Sequence, residues 1–321
     1  MVLEPAERSD DEGKNSGSRR TRWRKAAAAV AAGAQPSGGD GRLRVGNPDR
    51  GSTRRYFAGL TAFAAIAWPV LFCRSTSAAL GSDQLTIAEW EAIWTRVLER
   101  HVDEAGRIDF AGLKGDRTDL DRVVAFIAAV DPASAPARFP SLASRLAYDI
   151  NAYNALAMKG VLDAGVPESF GALGRLWFFS LRGVEIGSRS TSLYSFENDV
   201  IRSIGDPRVH FALNCMVVSC PRLPRTAFTA AALDRELDRA ARSFIAENRN
   251  VRLDPQNRLV YLSAIFDFYT KDFLAQSPSL IAYINRYRGE PVPLDYRVEF
   301  FEYDWTINAQ TGRARSPLAR E

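Results

Sequence analysis

No apolar periodicity runs through residues 1–50, a polar stretch rich in Gly, Ser, Arg and Ala, so a packed core must be built from the chain beyond it. An apolar, Ala-rich run follows from Tyr56 to Cys73, led by Thr53-Arg54-Arg55-Tyr56-Phe57 and left through the small residues Ser77-Ala78-Ala79. Basic region, apolar core and small-residue exit are the three parts of a secretory signal. The paired arginines before Phe57 resemble a twin-arginine export signal. Residues 1–79 are therefore read as disordered leader plus signal peptide, with Val45 as an alternative start. The expected destination is the periplasm or the outside, an oxidising space. The membrane is met only transiently, through the signal.

About 240 residues remain, enough for one good-sized core. Of the 42 Lys and Arg and 38 Asp and Glu, residues 1–79 hold 13 and 7, which leaves 29 and 31 for the rest. The basic excess belongs to the leader. The folded part lacks the positive footprint of a nucleic-acid binder, and no nucleic-acid partner is expected.

Thr86 and Glu89 fit a capping box, and Ile87, Trp90, Trp94, Val97 and Leu98 recur at helical spacing to about His101. Asp119–Val130 predicts a second helix, and Leu142–Leu162 a long apolar one that carries Asn151 and Asn154 on one face. Trp177–Leu181 and Val184–Ile186 read as a hairpin, Ser195–Ile204 as a short helix with Glu197 in its first turn, and Val209–Leu213 as a strand. Beyond these come a helix over Thr229–Glu247, a strand at Leu259–Leu262, a helix at Leu280–Tyr287 and a last strand at Arg297–Tyr303. The order predicts an α+β fold: one helix-rich domain over residues 80–309 with a small mixed or antiparallel sheet, then a flexible tail over 310–321.

The chain has two histidines and, once the signal is removed, two cysteines; His210, Cys215 and Cys220 fall in one short stretch. Three chemistries compete there. In the first, Cys215 is a nucleophile activated by His210 as base, with Asn214 or loop amides holding an oxyanion. Residues 210 and 215 face opposite sides of an unbroken strand, so the strand must turn near Leu213 for that pair to form, or His210 must pair with Cys220 instead. In the second, Cys215 and Cys220 form a structural disulfide. In the third, His210, Cys215 and Cys220 hold a metal ion, although their spacing matches no usual zinc signature. No metal and no cofactor are expected.

At these residues the sequence resembles a family, the bacterial and plant domain of unknown function 547, over roughly residues 86–308. The resemblance rests on ordered blocks: Asn151-Ala152-Tyr153-Asn154-Ala155-Leu156; Ser192-Leu193 with Phe196-Glu197; Asp206 through Cys215; Ser219-Cys220-Pro221; Leu262-Ser263 through Asp272-Phe273; and Tyr303-Asp304-Trp305 with Asn308. Phe268 stands where the family often has Trp, and Met216-Val217-Val218 where it has small or polar residues. The resemblance implies that His210, Asn214, Cys215, Ser219 and Cys220 act together; it implies no activity.

Each polar residue that the blocks draw in has two readings. Asn151 and Asn154 either support a pocket or fix the His210 loop through its backbone. Glu197 either orients His210 or stabilises a helix N-terminus. Arg208 is expected to pair with a carboxylate such as Asp304, and Asp304 or Asn308 could complete a Cys/His set. Two functional expectations follow. One is a thiol-dependent hydrolase or acyl transferase with Cys215, His210 and Glu197 as its catalytic set, acting on an unidentified small molecule or peptide. The other is a non-catalytic binding or scaffolding domain shaped by a Cys215–Cys220 disulfide.

Overall fold

The computed structural model describes residues 84–310; the expected leader, signal peptide and flexible tail lie outside the described residues. Helix α1 (Ile87–His101) starts at the expected capping box: the Thr86 hydroxyl accepts the Glu89 amide at 3.2 Å and the Glu89 carboxylate accepts the Thr86 amide at 2.8 Å. A cap of this kind is worth about 1 kcal/mol. Helices α2 (Phe110–Gly115) and α3 (Thr118–Ala129) follow, and α3 packs on α1.

Helix α4 (Leu142–Asp163) is the centre of the fold. It is buried almost all round from Leu146 to Val161, as a helix without a polar face must be. Each large apolar side chain buried here contributes about 1.5–3 kcal/mol. Helix α5 (Ala172–Leu176) runs on into a π-helical turn, Trp177–Leu181. That turn corrects the expected hairpin. The apolar run has strand-forming residues, but Phe178 is drawn into the core against Phe170 and Phe179, and the chain stays helical. The hairpin lies one step later, between β1 (Gly183–Ile186) and β2 (Arg189–Ser192), with Gly183 opposite Ser192. Gly187 and Ser188 both take positive φ at its turn, the geometry that two-residue hairpins favour.

A single turn, α6 (Leu193–Ser195), continues into a π-helix at Phe196–Ile201 and a 3-10 turn at Arg202–Ile204. The expected strand over Val209–Leu213 is instead a 3-10 helix, Pro207–Phe211. Pro207 fixes φ in its first turn, and the Asp206 carboxylate accepts the Arg208 amide at 2.9 Å, so the segment starts as a capped helix.

Helix α7 (Leu233–Ala246) is shorter than the periodicity predicts, because residues 229–232 form a turn before it. A three-stranded sheet then forms from β3 (Val251–Asp254), β4 (Leu259–Leu262) and β5 (Arg297–Phe300). β3 and β4 run antiparallel; β4 and β5 run parallel, with Leu259 beside Arg297, so this sheet is mixed. Helices α8 (Ala264–Phe268), α9 (Thr270–Leu274) and α10 (Leu280–Asn285) connect β4 to β5. The α+β class with small sheets is the observed one. Among the described residues, no helix is long and apolar enough to cross a membrane.

Two apolar clusters fill the interior: one around α4, the other between α7, the mixed sheet and α8–α10. Val209 belongs to the first and Phe211 to the second, so the 3-10 segment that carries His210 lies along their seam. The last described residues, 303–310, fasten that seam. Val218 donates its amide to Thr306, Asn308 donates to Met216, and Ile108 donates to Asn308, all at 2.9–3.0 Å.

Candidate functional site

The loop after the 3-10 helix is shaped by two asparagines. The Asn154 amide donates to the Ala212 carbonyl at 3.0 Å, and its oxygen accepts the Asn214 amide N–H at 2.8 Å. Asn214 in turn donates to the Pro221 carbonyl and accepts from the Met216 amide. Met216 sits at φ +68°, a left-handed turn that reverses the chain there. Both ends of the Asn214 side chain thus bond backbone, and Asn214 is not among the residues that line the cleft. Asn151 does not reach this loop; it brackets the amide and carbonyl of Phe228.

The turn brings Cys215 and Cys220 together as free thiols with their sulfurs 2.7 Å apart. The Cys215 backbone N–H points at the Cys220 sulfur at 3.1 Å, and the Tyr303 hydroxyl lies 3.4 Å from it and 3.8 Å from the Cys215 sulfur. The two sulfurs are therefore inequivalent. Burial pushes the Cys220 thiol up, but hydrogen bonds from Cys215, Tyr303 and the backbone outweigh it, and its pKa falls below the ordinary value. The hydrogen bond with Cys220, with burial added, pushes the Cys215 thiol well up. Burial, then the neighbouring sulfurs, keep Tyr303 a hydroxyl donor.

His210 is 3% exposed. Its Nε2 is 2.8 Å from the Asp272 carboxylate, and its ring stacks on Tyr269 at 3.8 Å. Arg202 grips both oxygens of the same carboxylate, at 2.8 and 2.9 Å. Burial pushes Asp272 up, yet the bonds from His210 and Arg202 win and hold it well below the usual carboxylate range. Asp272 therefore orients His210, and Glu197 does not. Glu197, 7% exposed, instead accepts the hydroxyls of Tyr153 at 3.0 Å and Tyr269 at 2.5 Å. Its link to His210 is indirect, through the stacked Tyr269. Among the described residues, neither sulfur is hydrogen-bonded to His210.

Arg208 pairs with Asp206, Asp234 and Asp238, not with Asp304. Asp304 is exposed and caps its own turn by accepting the Thr306 amide. Sequence reasoning missed Asp272, Arg202, Tyr269 and Tyr303 as site residues. Asp272 and Tyr303 stand in the blocks that carry the family resemblance, which is the signal that could have found them.

His210, Glu197, Cys215 and Cys220 line one cleft, of about 460 Å³ counting its open mouth. Its remaining wall is mostly aromatic, from Tyr153, Phe179, Phe268, Tyr269, Tyr303 and Trp305. Among the described residues, no group of three or more His, Cys, Asp and Glu side chains is placed to hold a metal ion. The arrangement can stabilise a thiolate, hold an imidazole by one nitrogen, and accept an apolar group beside both.

Fold and cleft together define an α+β domain with a close thiol pair, Cys220 buried and Cys215 half-buried, in one cleft with an Asp-held histidine. The sequence model of the family described as "Protein of unknown function, DUF547" matches residues 139–245, so the resemblance holds over α4 through α7 and includes both cysteines and His210. The blocks at Asp272 and Tyr303 lie beyond that match. No curated protein and no solved structure matches the chain.

Proposed function

We propose that this is an exported protein whose cleft performs thiol-dependent acyl transfer, which becomes hydrolysis when water is the acceptor. The observation that supports it is the polarised thiol pair: Cys220 receives the Cys215 backbone N–H and is hydrogen-bonded to the Cys215 sulfur and the Tyr303 hydroxyl, contacts that favour its thiolate. The nucleophile in this reading is Cys220, a shift from Cys215. The Cys220 thiolate attacks the acyl carbon; the carbon–sulfur bond forms and the bond to the leaving amine or alcohol breaks. The leaving group takes from the Asp272-held His210 the proton that Cys220 gave up in becoming a thiolate. Water then attacks the thioester, gives its proton back to His210 and releases the thiolate. Export rests on the twin-arginine-like segment at Thr53–Phe57; changing Arg54 and Arg55 together to lysine should retain the protein in the cytoplasm.

The test is intact-mass analysis of the reduced protein after exposure to an activated ester. One acyl adduct is expected, lost in Cys220→Ser and retained in Cys215→Ser. An adduct that survives Cys220→Ser, or none in the wild type, would overturn this reading.

The nearness of the two sulfurs favours a second reading, a non-catalytic domain whose thiols close to a crosslink after export. It predicts no titratable thiol in protein isolated from its own compartment, and equal losses of melting temperature on replacing either cysteine by alanine.

A further inference from the structure

A second cavity, of about 450 Å³ counting its mouth, is lined by Ala105, Arg107, Val218, Arg222, Arg249 and Asn308. Three arginines line it. Two carboxylates balance them in part: Asp103 accepts from Arg107 Nε at 2.8 Å, and Glu247 accepts from Arg222 Nε at 2.5 Å and from Arg249 Nε. One positive charge is left over. Among the described residues, the two terminal nitrogens of Arg107 and Nη2 of Arg222 make no hydrogen bond. Asn308 donates to the Gly106 carbonyl at 3.0 Å, which leaves its Oδ1 without a donor there.

The backbone is fitted to this grouping. Gly106 sits at φ +76°, and a Cβ there would meet the Arg222 Cα at 2.9 Å. A glycine is thus what lets the Arg107 and Arg222 segments lie side by side. The cavity also shares a wall with the thiol loop: Val218 lines it, while Cys215 and Cys220 line the first cleft. Arg249 donates to the carbonyls of Val218 at 2.7 Å and Cys220 at 3.4 Å.

We propose that the Arg107–Arg222–Arg249 cavity binds a small, multiply charged oxyanion, a phosphate or a dicarboxylate. The free guanidinium nitrogens supply charge-assisted donors, and the Asn308 Oδ1 accepts the hydroxyl of a monoprotonated phosphate. Arg249 adds charge to the cavity while its own nitrogens hold Glu247 and the carbonyls of Val218 and Cys220. The site does not depend on the acyl-transfer reading, and it stands if that reading fails.

Isothermal titration of the full chain with inorganic phosphate and, separately, malonate tests it, each against sodium chloride at matched ionic strength. Saturable one-to-one binding of at least one probe is expected, weakened about tenfold or more by Arg107→Gln and by Arg222→Gln. Arg96→Gln, which removes an unrelated surface pair with Asp119, should leave it unchanged. Circular dichroism on each variant confirms its fold, and the comparison is read on whichever of the two cavity variants is folded. Phosphate-only saturation assigns a phosphate ligand, and malonate-only saturation a carboxylate one. Failure of both probes to saturate, or full affinity in a folded Arg107→Gln or Arg222→Gln, overturns the proposal.

Discussion

Asn154 holds Asn214 by its backbone, the amide oxygen of one accepting the N–H of the other at 2.8 Å across sixty residues of sequence. Both residues are 1% exposed, and the second hydrogen bond from Asn154 closes on Ala212 two positions earlier. A helix buried on all sides thereby dictates the path of the thiol loop. Replacing Asn154 by Leu removes one donor and one acceptor and strands two backbone groups away from water. A loss of about 2–4 kcal/mol in urea unfolding is expected, together with a faster thiol modification rate as the loop opens. An unchanged midpoint and rate would mean that the loop holds its own shape.

Asp272 carries the pH dependence of the seam. Its folded pKa lies below the ordinary value, so its contribution is present above about pH 3.9 and fades as pH falls through the depressed folded value. Asp272→Asn should cost about 2–3 kcal/mol at neutral pH and progressively less as pH falls below about 3.9. Unfolding followed from pH 7 down to pH 2 checks this; a parallel offset between wild type and variant at every pH would contradict it.

The two sulfurs should titrate apart. Iodoacetamide alkylation of reduced protein, mapped by peptide mass, is expected to show Cys220 reacting with a midpoint below about 8.5 and Cys215 only well above it. Tyr303→Phe deletes a hydroxyl that donates to Cys220 and should move the Cys220 midpoint upward. An unmoved midpoint would show that the phenol plays no part in holding the thiolate.

Asp149 behaves in the opposite sense. It is buried on α4, its Oδ1 has no hydrogen-bond partner, and burial, with the charge of Asp131 added, pushes its pKa up to about 7. The folded state then holds this proton more tightly than the unfolded chain does. Stability should therefore decline as pH rises from about 3.9 through about 7. Asp149→Asn, neutral throughout, should remove that decline and be the more stable protein at pH 8. Equal slopes in wild type and variant over this window would rule the assignment out.

What the sequence disclosed was local or periodic. The capping box at Thr86, the apolar run of α4 and the strand at β4 all stand where the pattern of side chains put them. The grouping of His210, Cys215 and Cys220 in one cleft was legible because three scarce side chains fell close together. The partners were not. His210 meets Asp272 across 62 positions and Cys220 meets Tyr303 across 83, pairings set by packing of the two apolar clusters and by no spacing rule. Glu197 was the plausible carboxylate in sequence, but two tyrosine hydroxyls claim it. The strand expected at Val209 failed for a local reason, because Asp206-Pro207 is a helix start and the apolar residues after it divide between two clusters.

The stretch from Tyr303 to Gln310 ties down residues near 108, 168 and 217, and it supplies the hydroxyl beside the sulfurs. A ribosome delivers those residues after both cysteines. A nascent chain that contains both cysteines but stops short of Tyr303 lacks the phenol that sets them apart, so the pair acquires its chemical character only once that residue has been added.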